Sequence, residues 1–328
     1  MRLRTVTVLS ILIAVSAVIL VIMVYPPIDD LHVKNPEWNG LSQMYRLVKP
    51  ERVDDFSELT TIDSGSTLFI IGPERHYTSD DAKAAEDYLS RGGKMVVMDD
   101  FGSANTLLVR LGLDASFTGE LLVDPLFKDK NHLLPRIRTE GSGGVITIEL
   151  NYPTTISNTE EAIIHASSSR FSYLAENPED DGTNKPSEPY PVIVSTSFGA
   201  GEVVLVSDSS VFINGMIERA DNKLLLEELV SGAVFVDESH LEPTRLTEFN
   251  QLFTWFYWVL GRVEFRYGLL LLVGLLVFKV DWTEKDINES SRDELEAVLK
   301  AHPEADKRVL ERLDESRRKK IGPKRRPG

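Results

Sequence analysis

Hydrophobic positions in this 328-residue chain form two long segments near its ends and several short runs between them. The first segment, residues 6–24, holds nineteen residues without a charge. As a helix, that length crosses the ~30 Å hydrocarbon layer of a membrane. It ends in Tyr25-Pro26-Pro27, which is a poor cleavage site. The pattern therefore favours an uncleaved transmembrane anchor over a removed signal peptide.

The second long segment, residues 259–280, is less regular. It includes Arg262, Glu264 and Arg266, and aromatic residues at 253 and 255–258 precede it. Aromatic belts of this kind sit at the headgroup level of membranes, where charged side chains can snorkel. The alternative is a buried amphipathic helix of a soluble domain. We interpret the segment as a second transmembrane helix.

Short apolar runs between these segments alternate with helical patterns. Residues 67–72 read as a strand buried on both faces, 78–89 as a helix, 94–98 as a strand and 105–111 as a helix. This βαβα order predicts an α/β fold with an open, mostly parallel, flavodoxin-like sheet. The eight core positions that we expect to be almost wholly buried are Ile70, Ile71, Val96, Val97, Val204, Leu205, Val234 and Phe235.

The middle of the region, residues 115–190, has short β-like runs and Pro-rich connectors, so we expect a β-rich insertion. Strand patterns return at 191–197 and 202–207 around the turn Phe198-Gly199-Ala200-Gly201, which predicts a hairpin. A helix at 222–229 and a strand at 233–236 follow. The expected organisation is 1–5 N-terminus, 6–24 anchor, 28–250 α/β domain, 259–280 second span and 281–328 charged tail.

Charge distinguishes the two sides of the expected membrane. Residues 25–278 hold 20 Lys+Arg against 39 Asp+Glu, whereas Arg2, Arg4 and a basic tail flank the hydrophobic segments. By the positive-inside rule, both termini face the cytoplasm and the acidic domain lies outside. The lipid bilayer is then one partner. The acidity of the domain argues against nucleic acid as another.

Several chemistries are excluded by residue type. The chain has no cysteine, so disulfides, thiolate nucleophiles, cysteine-ligated zinc and iron–sulfur clusters are absent. It also has no G-x-S-x-G elbow, Walker A loop, H-E-x-x-H pair or dinucleotide glycine fingerprint. No catalytic residue and no cofactor is assigned from the sequence.

Polar residues follow four of the expected strands. In an open α/β sheet, ligands bind outside the carboxyl ends of the strands. The candidate ligand-binding residues at these ends are His76, Asp99, Asp100, Asp208, Ser209, Asp237, Glu238 and His240. Carboxylates from this set would suit a hard cation, and His76 or His240 would add a ligand for a transition metal. The competing interpretation is that the aspartates are caps and turn residues.

Several motifs together resemble the domain of unknown function 4350 family of archaea and bacteria. They are the anchor, TLFIIGP, GGKMVVMDDFG, FGAGEVVLVSDSSVFIN and VFVDESH before a hydrophobic segment. The resemblance implies a fold like that of class I glutamine amidotransferases. Without cysteine, the amidotransferase nucleophile is missing. It also implies envelope partners and a cytoplasmic MoxR-type ATPase system, because members often lie beside genes for such proteins.

Two functions remain open at this stage. The first is a non-catalytic, membrane-anchored, extracytoplasmic binding or scaffold module of an envelope-associated system. The second is a metal-assisted hydrolase or transferase with an acidic site at the strand ends. Convergence of Asp100, Asp208, Glu238 and His240 would favour the enzyme, and side chains already used as caps would favour the binding module.

Overall fold

The computed structural model describes residues 3–24, 26–180, 182–183 and 185–262, with isolated positions between 267 and 313. The chain divides into two compact units, Met1–Phe253 and Thr254–Gly328. Most of the segment 259–280 and of the tail 281–328 lies outside the described residues, so the expected second span falls there.

Six helices are described. They are α1 (Leu3–Val24), α2 (Ser42–Val48), α3 (Ser79–Ser90), α4 (Asn105–Arg110), α5 (Asn222–Leu229) and α6 (Arg245–Gly261), with a 3₁₀-helix at Phe56–Thr61. Within the described part of the chain, no helix is long and apolar enough to cross a membrane.

Thirteen strands are described between Glu51 and Asp237. They are β1 (Glu51–Val53), β2 (Thr67–Ile71), β3 (Lys94–Met98), β4 (Ser116–Phe117), β5 (Leu121–Val123), β6 (Arg136–Gly141), β7 (Gly144–Glu149), β8 (Ile156–Ser157), β9 (Ile163–Ser167), β10 (Tyr173–Ala175), β11 (Pro191–Phe198), β12 (Gly201–Val206) and β13 (Val234–Asp237).

A mainly parallel seven-stranded sheet organises the domain, as the sequence predicts. Its order is β1-β13-β2-β3-β12-β11-β9. The first five strands are parallel, and β11 runs antiparallel to both β12 and β9. In chain order the parallel strands are arranged 1-5-2-3-4, which differs from the 2-1-3-4-5 order of flavodoxin. Two placements produce the difference: the first strand, β1, lies at the edge of the sheet, and the last strand, β13, lies between β1 and β2.

Both faces of the sheet are covered. Alternate residues of the central strands, such as Leu68 and Ile70, pack with α3, α4 and the 3₁₀-helix, while Phe69 and Ile71 pack with α2, α5 and β7. Burial on both faces explains why these strands are continuously apolar. The helix α3 starts at a capping box, in which Thr78 and Asp81 each bond the other's backbone N–H.

Seven of the eight expected core residues are at most 6% exposed, and the eighth expectation is wrong. Phe235 is only partly buried, although it packs against the core on the α3 side. The physical reason lies in the position of β13. Its outer neighbour β1 is the edge of the sheet and has only three residues, so the cover over Phe235 is incomplete.

Seven short strands, β4 to β10, lie within residues 115–190. Six of these strands form three antiparallel pairs: β4 with β8, β5 with β10, and β6 with β7. The strand β9 instead joins the main sheet as its other edge, beside β11. The hairpin expected around Gly199 is present as β11 and β12.

Candidate functional site

Four parallel strands, β13, β2, β3 and β12, lie side by side in the centre of the sheet. Their carboxyl ends therefore meet at one edge, as the sequence predicts. The polar residues that follow these strands nevertheless form separate groups, each with its own partners.

The first group follows β3 and β12. Asp99 accepts hydrogen bonds from the backbone N–H groups of Phe101 and Ala104, at 3.0 and 2.7 Å, and so holds the turn that leads into α4. Asp100 accepts from both the backbone N–H and the Oγ of Ser209, at 2.8 and 2.5 Å. These bonds tie the ends of the two neighbouring strands together.

Asp208 is completely buried at the end of β12. Its carboxylate accepts from the backbone N–H of Asn151 and from the N–H and Oγ of Ser210, each at 2.7 Å. Burial nevertheless raises the pKa of Asp208 to about 6. Burial, followed by the charge of Asp208, also raises the pKa of Asp100 well above its usual value. The two acids are thus an electrostatically unfavourable pair at neutral pH.

The second group follows β13 and surrounds His240. Asp237 lies 2.7 Å from His240 Nδ1 and accepts a hydrogen bond of 3.0 Å from the hydroxyl of Tyr77. The His240 ring stacks on Tyr77 at 3.7 Å, and its Nε2 lies 3.5 Å from a carboxylate oxygen of Asp81. Burial first, and then Asp237, raise the pKa of Tyr77. His240 is itself buried, so this group fastens β13 to α3.

The third group is centred on Glu238. Its Oε2 forms an ion pair with the guanidinium of Arg52 on β1 and lies 3.9 Å from His32 Nε2. Burial raises the pKa of Glu238, and the charge of Arg52 opposes that change. Burial, reinforced by Arg52, lowers the pKa of His32 to about 4, so this histidine is neutral at pH 7.

The convergence of Asp100, Asp208, Glu238 and His240 that would favour the enzyme is not seen in the contacts of the described residues. No hydrogen bond or ion pair there joins the first two to the last two. Asp100 and Asp208 follow β3 and β12, whereas Glu238 and His240 follow β13, and β2 lies between β13 and β3. Asp99, Asp208 and Asp237 already accept hydrogen bonds from nearby backbone N–H groups. His76, the remaining candidate, is exposed in the loop after β2. Within the described chain, no three His, Asp or Glu side chains are placed to hold a metal ion.

A cavity of about 760 Å³ opens beside the third group. Its base is the carboxyl edge of β1 and β13, with Arg52 and Glu238, and the loop after β2 contributes Glu74 and Arg75. The remaining walls come from residues 28–32, which follow α1, and 241–247, which lead into and begin α6. Parts of the chain distant in sequence therefore build one enclosure.

Hydrogen bonds hold these walls together. Asp29 accepts from the Oγ1 of Thr244 at 2.6 Å and from its backbone N–H at 3.3 Å. The backbone N–H groups of Glu74 and Arg75 donate to the carbonyl of His240, at 2.9 and 3.1 Å. The segment after α1 and the segment before α6 are thus joined directly at the cavity.

Buried polar atoms without a partner concentrate at this cavity. Of the four such side-chain atoms in the described part of the chain, three belong to residues lining it: Arg52 Nε, Glu238 Oε1 and Thr247 Oγ1. The Glu238 side chain is 5% exposed, and Thr247 is 3% exposed. A buried polar atom without a partner costs about 1–3 kcal/mol unless a water or ligand in the cavity pairs with it.

Sequence reasoning found Glu238 but missed Arg52, His32, Asp29, Thr244 and Thr247. The three-residue strand β1 is too short to show an alternating pattern, and its pairing with β13 is not visible in the chain. Asp29, His32 and Thr244 lie in polar connectors, and Thr247 lies in the first turn of α6. The one available signal was the concentration of ionisable residues at the two borders of the domain.

Fold and site together define a mixed α/β domain with a mainly parallel sheet and a polar cavity at its carboxyl edge. The chain belongs to the family described as Domain of unknown function (DUF4350), whose model matches residues 33–230. The matched range contains Arg52, Glu74 and Arg75 of the cavity, whereas Glu238 and the two joined segments lie outside it. No curated protein matches the chain.

Among solved structures, the chain is similar to one titled "mmIFT52 N-terminal domain", at 15% identity and a TM-score of 0.40, over 53% of this chain and 77% of that one. It is also similar to the exo-beta-1,4-mannosidase Op5Man5 from Opitutaceae bacterium strain TAV5, at 13% identity and a TM-score of 0.28. That match covers 58% of this chain and 25% of the mannosidase. A third similar structure is the cytoplasmic protein STM3548 from Salmonella typhimurium, at 11% identity and a TM-score of 0.27. That match covers 55% of this chain and 76% of STM3548.

Proposed function

We propose that this protein is a non-catalytic binding module, anchored in the membrane with its acidic domain outside the cytoplasm. Its ligand occupies the cavity at the carboxyl edge of β1 and β13. The observation that carries the proposal is the concentration of three partnerless buried polar atoms at one 760 Å³ cavity. Ligand sites combine a concave surface with a few convergent polar groups, and this cavity has both.

The non-catalytic part of the proposal is supported by how the strand-end acids are used. Asp99, Asp208 and Asp237 all accept hydrogen bonds from local backbone N–H groups. A general acid or base instead needs an accessible carboxylate within reach of a substrate. Glu238 faces the cavity, but Arg52 occupies one of its oxygens.

The membrane part is supported by the character of α1 and α6. In α1, Ile11, Ile13 and Val18 are 57, 62 and 59% exposed. In α6, Trp255 and Tyr257 are 55 and 71% exposed. Apolar helices that are not covered by protein need another apolar environment, and lipid supplies it. We therefore propose the bilayer as a partner. The family resemblance adds envelope proteins and a MoxR-type ATPase system on the cytoplasmic side as further proposed partners.

Thermal unfolding of the full-length protein in detergent micelles tests the binding proposal. The probes are L-amino acids, aliphatic amines, monosaccharides, nucleotides and divalent metal salts at millimolar concentration. A compound present at a hundredfold excess over its Kd stabilises the folded state by about 2.7 kcal/mol. We expect at least one class of compound to raise the Tm of the wild-type protein.

The variant Thr247→Val separates a ligand in this cavity from one bound elsewhere. It removes a partnerless hydroxyl and keeps the shape of the side chain, so we expect it to raise the stability of the ligand-free protein by about 1 kcal/mol. It should also remove or weaken the shift caused by the ligand. The matched variant Thr244→Val breaks a hydrogen bond to Asp29 and should lower stability. If no probe shifts the wild-type Tm, the binding proposal is wrong.

A further inference from the structure

The residues that line the cavity beside β1 and β13 carry an excess of negative charge. Its ionisable side chains at neutral pH include two arginines, Arg52 and Arg75, and six acids: Asp29, Asp30, Asp54, Glu74, Glu238 and Glu242. His32 is neutral there, since its pKa is about 4. The net charge of this wall is −4. A cavity lined mainly by one sign of charge concentrates ligands of the opposite sign.

Two of the partnerless atoms are hydrogen-bond acceptors. Glu238 Oε1 is an oxygen of a buried carboxylate, and Thr247 Oγ1 is a buried hydroxyl oxygen. Arg52 leaves Glu238 Oε1 without a partner, because its Nη2 pairs with both Glu238 Oε2 and Asp54 Oδ1, the latter at 2.8 Å. Glu238 therefore needs a further N–H donor, and a charged donor gives the strongest bond to a carboxylate.

The third partnerless atom, Arg52 Nε, is a donor and needs an acceptor. An ammonium or guanidinium ion alone offers none. A ligand with a cationic nitrogen and a carbonyl or carboxylate oxygen would complement all three atoms. Ile28, Leu241 and Pro243 add apolar wall, against which an aliphatic stem can pack.

From these contacts we infer that the cavity takes a basic amino acid, either free or within a peptide, with its ammonium or guanidinium group against Glu238. This inference rests on the proposed binding function and names its ligand class. The cation is organic because the described acids are not grouped as metal ligands. Free amino acid and peptide share the recognised chemistry, and the experiment separates them.

The test measures binding to the full-length protein in detergent micelles by calorimetry and Tm shift. The probes are L-lysine and L-arginine as free amino acids, and Nα-acetyl-L-lysine amide and Lys- or Arg-containing tripeptides as models of a peptide. Norleucine is the matched control, because it keeps the α-ammonium, the α-carboxylate and the aliphatic stem of lysine and lacks only the side-chain ammonium that the inference places against Glu238. We expect the basic probes to bind and norleucine not to bind.

Glu238→Gln should weaken binding of the basic probes roughly tenfold or more, since it removes the charged acceptor. Asp54→Asn, a change at a side chain that is 68% exposed, should weaken it less and keeps the test valid if Glu238→Gln folds poorly. Glu86→Gln, at an exposed position of α3, is the control and should bind like the wild type. Raising the ionic strength to ~0.5 M should also weaken binding, because it shortens the screening length.

The outcomes distinguish the ligand class from the proposed function. Equal binding of norleucine and lysine, or undiminished binding in Glu238→Gln and Asp54→Asn, overturns the basic-ligand inference. If a sugar, a nucleotide or a divalent cation raises the Tm and Thr247→Val removes that shift, the binding function stands and the inferred ligand class is wrong. If none of the probes binds, both are wrong.

Discussion

Asp100 and Asp208 hold strand ends in place, and each carries an electrostatic cost. Asp100 ties the end of β3 to Ser209 after β12, and Asp208 ties the end of β12 to Ser210 and to Asn151, which follows β7. Both also have raised pKa values, with burial as the first cause. The domain therefore gains strand-end geometry from these residues at an electrostatic cost that depends on pH.

The sign of that pH dependence follows from the native and unfolded pKa values. Asp208 titrates near 6 in the native state and near its usual value of 3.8 when unfolded. Between about pH 4 and pH 6 the native state binds more protons, so its stability falls as the pH rises through this window. The raised pKa of Asp100 acts in the same direction.

Asp100→Asn should therefore stabilise the protein at pH 7 by about 1–2 kcal/mol and change its stability little at pH 4. An asparagine can still accept from the Ser209 N–H and donate to the Ser209 Oγ, so both contacts persist. Urea unfolding of the full-length protein at the two pH values measures the effect. Asp114→Asn, at an exposed position, is the control. A gain that is equal at both pH values would contradict the account.

At the scale of elements, the central strands β2, β3 and β12 carry most of the predictable structure. Each is an unbroken apolar run, because helices or other strands cover both faces of the sheet. The strands at the margins follow different rules. The edge strand β9 exposes Ile163 and Ile164 at 64 and 48%, and β1 has only three residues.

Ile71→Ala at the end of β2 should lower the free energy of unfolding by about 2–5 kcal/mol, because it leaves a cavity between the sheet and its covering layer. Ile71 is 3% exposed and packs in the core with α2 and α5. Val109→Ala, at a side chain that is 71% exposed on α4, should change stability by less than about 0.5 kcal/mol. Denaturant unfolding of both variants compares them. A loss below half a kcal/mol for Ile71→Ala would mean that this strand end is not part of the core.

At the scale of the whole molecule, charge and hydrophobicity are segregated along the chain. Residues 25–278 hold 20 Lys+Arg against 39 Asp+Glu, whereas Arg2, Arg4 and the basic runs at 317–320 and 324–326 lie near the termini. The cavity is built where the segment that follows α1 meets the segment that leads into α6. A bound ligand would therefore contact both connections between the α/β domain and the proposed membrane segments.

This arrangement predicts the accessibility of the chain in spheroplasts. Protease added from outside should cleave within residues 177–190, which connect β10 to β11, and should spare a tag at the C-terminus. The reason is the positive-inside rule, applied mainly to Arg2, Arg4 and Lys279, which lie close to the hydrophobic segments. Immunoblotting for the tag, with detergent-permeabilised cells as the control, measures the result. Loss of the tag in intact spheroplasts would reverse the proposed topology.

The sequence by itself determined the central strands, the helices α3, α4 and α5, the hairpin around Gly199 and the shared edge of four strand ends. These features depend on local patterns: apolar runs, capping residues such as Thr78, and glycines at turns. Such patterns act over a few residues and are therefore readable along the chain. The same patterns indicated a turn role for Asp99, and its carboxylate accepts from two backbone N–H groups there. They indicated a helix cap at Asp208, which instead holds a turn with Ser210.

Only the tertiary structure decided which strand ends form a site. Inserting β13 between β1 and β2 places Glu238 beside Arg52 and away from Asp100 and Asp208. Strand order is a property of pairing between distant segments, and neighbouring residues do not encode it. Burial then changed the chemistry of the residues brought together: it lowered the pKa of His32 and left Glu238 Oε1 and Thr247 Oγ1 without partners. Desolvation depends on the atoms that surround a side chain after folding, so no reading of residue types along the chain reveals it.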